Sequence, residues 1–150
     1  MKFIDLDIET IIQKLEKLSP DAKPLWGKMS AQRMVEHLVD SVRMSTGKNT
    51  FPLEIPEDRI ERMQDFLRSE KPMMKNVEVP FAKDSTPLKY EEIDLAIDEL
   101  VVELIDFEEY FSENKSRTAL HPYYGNLNYE LWTLLHRKHF THHFEQFNLL

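Results

Sequence analysis

Apolar residues recur at three- and four-residue steps in four long segments of the chain, and this spacing predicts four helices. The first, over 7–18, carries Ile8, Ile11, Ile12, Leu15 and Leu18. It ends at Ser19-Pro20, because a residue before proline is held out of the helical region. The second, over 30–46, presents Ala31, Met34, Val35, Leu38 and Val42 as one stripe, with Ser30 placed to cap its start and Gly47 to stop it. The third, over 89–113, repeats Ile93, Ile97, Leu100, Val101, Leu104, Phe107 and Phe111, with carboxylates around the rest of the helix. The fourth, over 128–148, spreads Leu131, Trp132, Leu135, Phe140, Phe144 and Phe147 over a wide arc. No apolar–polar alternation persists long enough to predict a strand. The pattern therefore predicts an all-α chain, most simply a four-helix bundle forming a single domain over 1–150.

The connection between the second and third helices is far longer than a bundle loop of a few residues. Five of the eight prolines (Pro52, Pro56, Pro72, Pro80 and Pro87) fall within 48–88. A short helix is expected over 56–67, with Pro56 near its first turn, and extended chain over 77–81. A crossover of this length lets the second and third helices run parallel and can form part of a pocket wall.

Composition narrows the classes of function. A hydrophobic content of 41% with 31% charged residues is that of an ordinary globular protein. With no cysteine in the chain, disulfides, thiolate metal sites and a cysteine nucleophile are excluded. The net charge of −8 disfavours nucleic-acid backbones and anionic membrane surfaces as partners. Ten Asp or Glu residues and one basic residue lie between Lys89 and Asn114, so the third helix carries much of that charge. The acidic, interrupted start of the chain does not read as a signal peptide, and no apolar run approaches membrane-spanning length. A cytoplasmic location is the expectation.

The chemistry concentrates in the fourth helix, where His136, His139, His142 and His143 fall within eight residues. Neutral imidazole is the commonest ligand for zinc, nickel, copper and iron. His139 and His143, four apart, project from adjacent turns of one face, about 40° apart, in the middle of the apolar arc. Two buried imidazoles must be hydrogen-bonded or metallated, and protonating both would place like charges on neighbouring turns. A stable site needs a third ligand, and His37, at the edge of the second helix's stripe, is the one histidine available from another helix far upstream. Gln146, one turn past His143, is placed to orient an imidazole or a metal-bound water. His142 and His136 lie nearer the edges of the arc as pocket or second-shell residues. Glu36 and Asp40 flank His37 and read as solvated surface carboxylates, with an acid/base role as the alternative for either.

The segments Leu-Trp-Gly-Lys-Met-Ser-Ala-Gln-Arg-Met-Val-Glu-His-Leu (25–38), His-Pro-Tyr-Tyr-Gly-Asn-Leu (121–127) and Trp-x6-His-x2-His-His-x2-Gln (132–146) together resemble the DinB-like superfamily, and more closely a family of small uncharacterised proteins within it. The resemblance runs nearly the whole length of the chain. It implies a four-helix bundle, frequently dimeric, holding a divalent metal through His37, His139 and His143, the same three residues selected above. Relatives in that superfamily include thiol-dependent transferases and isomerases. The His-Pro-Tyr-Tyr-Gly segment belongs to the narrower family, whose chemistry is not established.

Three neutral ligands leave an ion its full charge and at least one open position, the arrangement of catalytic sites. Such an ion can activate water, polarise a carbonyl or bind a thiolate. Zinc and nickel both suit an all-imidazole site. His121 and Tyr123, in the loop entering the fourth helix, are the candidate catalytic residues for substrate contact or proton transfer, with Tyr124 beside them. The expected function is metal-dependent hydrolysis or thiol-dependent group transfer on a small-molecule substrate. The alternative is a non-catalytic helical binding module with structural histidines. A homodimer is compatible with exposed Phe and Met side chains in the crossover.

Overall fold

The computed structural model describes residues 2–150. The chain is mostly helical: α1 (Ile8–Leu15), α2 (Ala31–Ser45), α3 (Ile60–Arg68), α4 (Ile93–Glu113) and α5 (Tyr129–Gln146), with a hairpin of β1 (Ala119–His121) and β2 (Gly125–Leu127) between the last two. The four long segments read from periodicity are α1, α2, α4 and α5. The short helix expected between the second and third long helices is a 3-10 turn at Glu57–Arg59 running into α3.

Local chemistry sets most helix boundaries. The Asp7 carboxylate caps α1 by accepting from the Thr10 amide at 3.1 Å. That helix stops earlier than periodicity suggests, because the Leu18 amide donates to Leu15 in a tightened last turn. Ser30 Oγ accepts from the Arg33 amide at the start of α2. At its end Gly47 has φ +73°, and the Lys48 and Gly47 amides donate to the carbonyls of Arg43 and Met44. This is a Schellman stop. Helix α5 uses the same two devices. Asn128 caps its start, and Asn148 (φ 57°) closes it with Leu149 donating to Phe144.

Helix α4 begins four residues later than expected, for a reason outside its own sequence. The amides of Lys89 and Tyr90 donate to the carboxylate of Glu36 on α2, at 2.6 and 3.3 Å. Gln32 Nε2 adds a third bond at 2.9 Å, and Arg33 Nη1 lies 3.8 Å away. Glu36 is thus a buried tether, not the surface carboxylate read from the sequence. Asp40 does reach solvent, while also accepting from Arg33 at 3.2 Å.

The core lies between α2 and α4, which pack along each other, with α5 against α2 and α3, and α1 against α4. Met34, Leu38 and Val42 of α2 meet Leu100, Leu104 and Phe107 of α4 and Trp132, Leu135, Phe140 and Phe144 of α5, all in one buried cluster. At about 1.5–3 kcal/mol for each large apolar side chain removed from water, this cluster dominates the stabilisation. Helix α4 has a second apolar edge, Leu95, Val102 and Ile105, which remains exposed.

The hairpin departs from the all-helical expectation. Its strands are three residues each, too short for alternation to register, and are joined by Pro122-Tyr123-Tyr124 with Gly125 at φ +78°. Gly125 is the first residue of β2, and its left-handed backbone, which a residue without Cβ adopts without strain, closes the turn. The indole N–H of Trp132 donates to the Ala119 carbonyl and ties the hairpin to α5. Lys138, fully buried, donates its ammonium to the carbonyls of Ser69 and Lys71 and lies over the rings of Phe3 and Phe66. It caps the C-terminal end of α3 with a positive charge. Among the described residues, no helix is long and apolar enough to cross a membrane.

Candidate metal centre

The apolar stripes that seat α2 and α5 in the core also fix where their histidines project. His37 comes from α2 and His139 and His143 from α5, 102 residues away in sequence. The Nε2 atoms of His37 and His139 lie 2.8 Å apart, and those of His139 and His143 lie 3.0 Å apart. One ligand atom from each of the three lies within 4.8 Å of the others, a group able to hold a metal ion. His143 is buried, whereas His37 and His139 retain partial exposure, so one side of the group faces outward.

Proton bookkeeping shows what this cluster lacks. Gln146 Nε2 donates to the Trp26 carbonyl at 3.0 Å, which turns Gln146 Oε1 toward His143 Nδ1 at 2.7 Å. The oxygen can only accept, so His143 Nδ1 carries the hydrogen and its Nε2 is a bare lone pair. His139 Nε2 faces that lone pair and His37 Nε2 at once. If His139 Nε2 bears its hydrogen, one N–H must serve two acceptors or meet a second N–H. If it is bare, two lone pairs face each other at 3.0 Å. No neutral tautomer makes both short contacts good hydrogen bonds. A cation among the three nitrogens would satisfy all three lone pairs together. Ligands about 2.05 Å from a tetrahedral zinc stand about 3.3 Å apart, so the two short contacts need to open by a few tenths of an ångström. The residues present therefore fit a divalent ion.

Electrostatics keep the ligands neutral. Burial, then the Arg33 guanidinium, then His142 lower the His37 pKa to about 4. His139 and His143 fall well below the usual histidine value, chiefly through burial and then through neighbouring imidazoles. Neutral imidazole is the ligating form.

Of the expected second-shell residues, Gln146 occupies that position. His142 stands beside the cluster, its ring 4.9 Å from His143 and 5.4 Å edge-on from Trp26. Its pKa is lowered by burial and by Lys75. His136 is not at the edge of the arc: it is fully buried, enclosed by Phe107, Trp132 and Phe140 and 3.0 Å from Ser45 Oγ, with Nδ1 lacking any partner. Helix α4 covers this position through Phe107, which periodicity along α5 alone does not reveal.

His121 and Tyr123 lie on the hairpin. The Tyr123 amide donates to His121 Nδ1 at 3.0 Å, and the imidazole is boxed by Phe81, Tyr124 and Trp132. Burial lowers its pKa to about 3 and raises that of Tyr124 to about 12. Tyr123 packs on Phe81. Neither His121 nor Tyr123 hydrogen-bonds or ring-packs with the three ligands among the described residues.

The sequence reading overlooked the support supplied by residues 25–27. Besides the Trp26 carbonyl, the Leu25 amide donates to the Gln146 carbonyl at 2.7 Å. Gly27 sits at φ +78° with its missing Cβ position 3.2 Å from Gln146 Nε2. A glycine after an aromatic, just ahead of a helix N-cap, was the available signal.

No curated protein and no solved structure matches the chain. Residues 1–149 match the family model described as "Protein of unknown function (DUF1569)", and the chain belongs to that family.

Proposed function

We propose that this protein is a divalent-metal-dependent enzyme acting on a small molecule, by hydrolysis or by thiol-dependent group transfer, on a DinB-like four-helix bundle with a long crossover. The observation that carries the reading is the convergence of three neutral imidazole nitrogens whose short contacts no tautomer reconciles. A divalent ion bound there supplies Lewis-acid chemistry with its charge unneutralised by the ligands. The partial exposure of His37 and His139 supports an open coordination position. Gln146 fixes the His143 tautomer and ring orientation, which such a ligand set requires. Zinc and nickel both suit the donor set.

On the hairpin, His121 is the group proposed to meet substrate. Its Nδ1 is occupied as an acceptor, so the neutral ring presents Nε2–H, which suits a hydrogen-bond donor better than a base. Tyr123 would help shape the same wall. Elemental analysis of untagged protein purified without chelators tests the metal reading, beside His37→Ala and His143→Ala. About one ion per chain, lost in both variants, is expected. Occupancy unchanged in both, or no uptake of added zinc or nickel by the parent, overturns it.

A further inference from the structure

Beside the triad, on the far side of His142, lies a cleft of about 170 Å³ lined by Phe3, Pro72, Met73, Lys75, His142 and Glu145 together with Lys138 and Thr141. Most of its polar groups are already used. Lys138 is bound to two carbonyls, and Thr141 Oγ1 accepts from the Ile4 amide and donates to the Arg137 carbonyl. His142 is engaged by the rings of Trp26 and His143. Two groups are left over. Among the described residues, the Lys75 ammonium rests 4.3 Å over the Trp26 ring with no carboxylate partner, and the Glu145 carboxylate has no cation partner. They border one small cleft and do not pair with each other.

An unpaired cation and an unpaired anion on one small cleft, beside the apolar side chains of Phe3, Pro72 and Met73, complement a zwitterion. The volume lies below the roughly 300–1,000 Å³ of drug-sized ligand pockets, which restricts the ligand to about amino-acid size. His142 forms one wall of the cleft and stacks edge-on against His143, so a ligand in the cleft abuts the metal ligands. We propose that this cleft binds the ammonium and carboxylate of an α-amino acid, Lys75 holding the carboxylate and Glu145 the ammonium. The side chain then extends past His142 toward the triad. The assignment rests on the metal-dependent reading above and names the substrate class for that site.

Calorimetric titration of metal-loaded full-length protein with each of the twenty amino acids is the test. The best binder is then compared with its decarboxylated and deaminated analogues. The expected result is millimolar or tighter binding of at least one amino acid, with both analogues roughly ten- to a hundredfold weaker, as for a charged hydrogen-bond partner left unmatched. Lys75→Met and Glu145→Gln should each reproduce that loss, and the double exchange Lys75→Glu/Glu145→Lys should recover part of it. Binding of no amino acid, or binding that ignores either variant or either missing charge, overturns the proposal. Elemental analysis of the same samples separates the two readings. Full metal content without amino-acid binding sinks the cleft assignment alone, whereas absent metal sinks the metal-dependent reading.

Discussion

His136→Leu should remove a specific part of the protein's acid sensitivity. His136 is fully buried among Phe107, Trp132 and Phe140, and burial lowers its pKa to about 3. The folded protein therefore holds this ring neutral at pH values where the unfolded chain, with a histidine pKa near 6.5, takes up a proton. Lowering the pH through 6.5 thus favours the unfolded state, while above about pH 7 the group has no effect. The slope is about 1.4 kcal/mol per pH unit for one proton, which gives about 2.7 kcal/mol by pH 4.5. Against a total stability of roughly 5–15 kcal/mol, that is a large share from one side chain.

The variant loses the hydrogen bond to Ser45 but also loses the unpartnered buried Nδ1. The first costs about 1 kcal/mol and the second relieves about 1–3 kcal/mol. Stability at pH 7.5 should therefore change little or rise. Urea unfolding from pH 7.5 to 4.5, in chelator so that metal linkage is absent, gives the two curves to compare. Their difference should be flat above pH 7 and widen to about 2.7 kcal/mol in the variant's favour at pH 4.5. Because the other titrating groups are common to both proteins, they cancel. Parallel curves across the whole range would refute the argument, since they would mean that His136 protonates as readily folded as unfolded.

Three other substitutions probe separate links. Gln146→Met deprives His143 Nδ1–H and the Trp26 carbonyl of their partners, so chelator competition should show metal affinity about 10–100-fold weaker; unchanged affinity with lowered stability would make Gln146 only a staple. Glu36→Gln removes the charge that gathers two backbone amides and Gln32, and should cost about 1.5–3 kcal/mol in urea unfolding, with an unchanged midpoint counting against the tether. Gly125→Ala puts a methyl 2.9 Å from Ile60 Cγ2 at φ +78°, at a cost of about 1–3 kcal/mol; adding Ile60→Ala should recover the clash but not the backbone strain, so full recovery would argue against the latter.

What could be read from the sequence follows the range of the interactions. Helix spans and ligand faces depend on residues three and four apart, so α2, α5 and the His139–His143 pair were visible directly. Ser30, Gly47 and Pro56 marked boundaries because caps and stops act within a turn. The start of α4 was not visible, because it is set by Glu36, 53 residues upstream of the Lys89 amide it binds. The same holds for the burial of His136 under Phe107, the retention of Lys138 by the end of α3, and the Trp26 carbonyl that orients Gln146. Each is a polar group made tolerable inside the protein by a partner distant in sequence. Strands of three residues escaped for the opposite reason, since the local signal was too short. The turn between them depends instead on Gly125 and its positive φ.

His136 and the triad differ in how they meet the cost of enclosure, and that contrast separates a structural imidazole from a group able to hold a metal ion. His136 has one good hydrogen bond and one unpartnered nitrogen, enclosed by hydrocarbon and aromatic rings. Its defect is local, and a leucine would remove it. The triad's defect is collective. His143 is fully committed through Gln146, yet that commitment points its lone pair at His139, which already faces His37. Optimising the protein for stability alone would relax one of these contacts by a rotamer change or an apolar replacement. Instead the chain adds support, the Trp26 carbonyl and the close approach of Gly27, that holds the conflicting orientation in place. Scaffolding that maintains a frustrated arrangement has a physical purpose only if something outside the protein resolves it. The open side at His37 and His139 is where a cation would enter to do so.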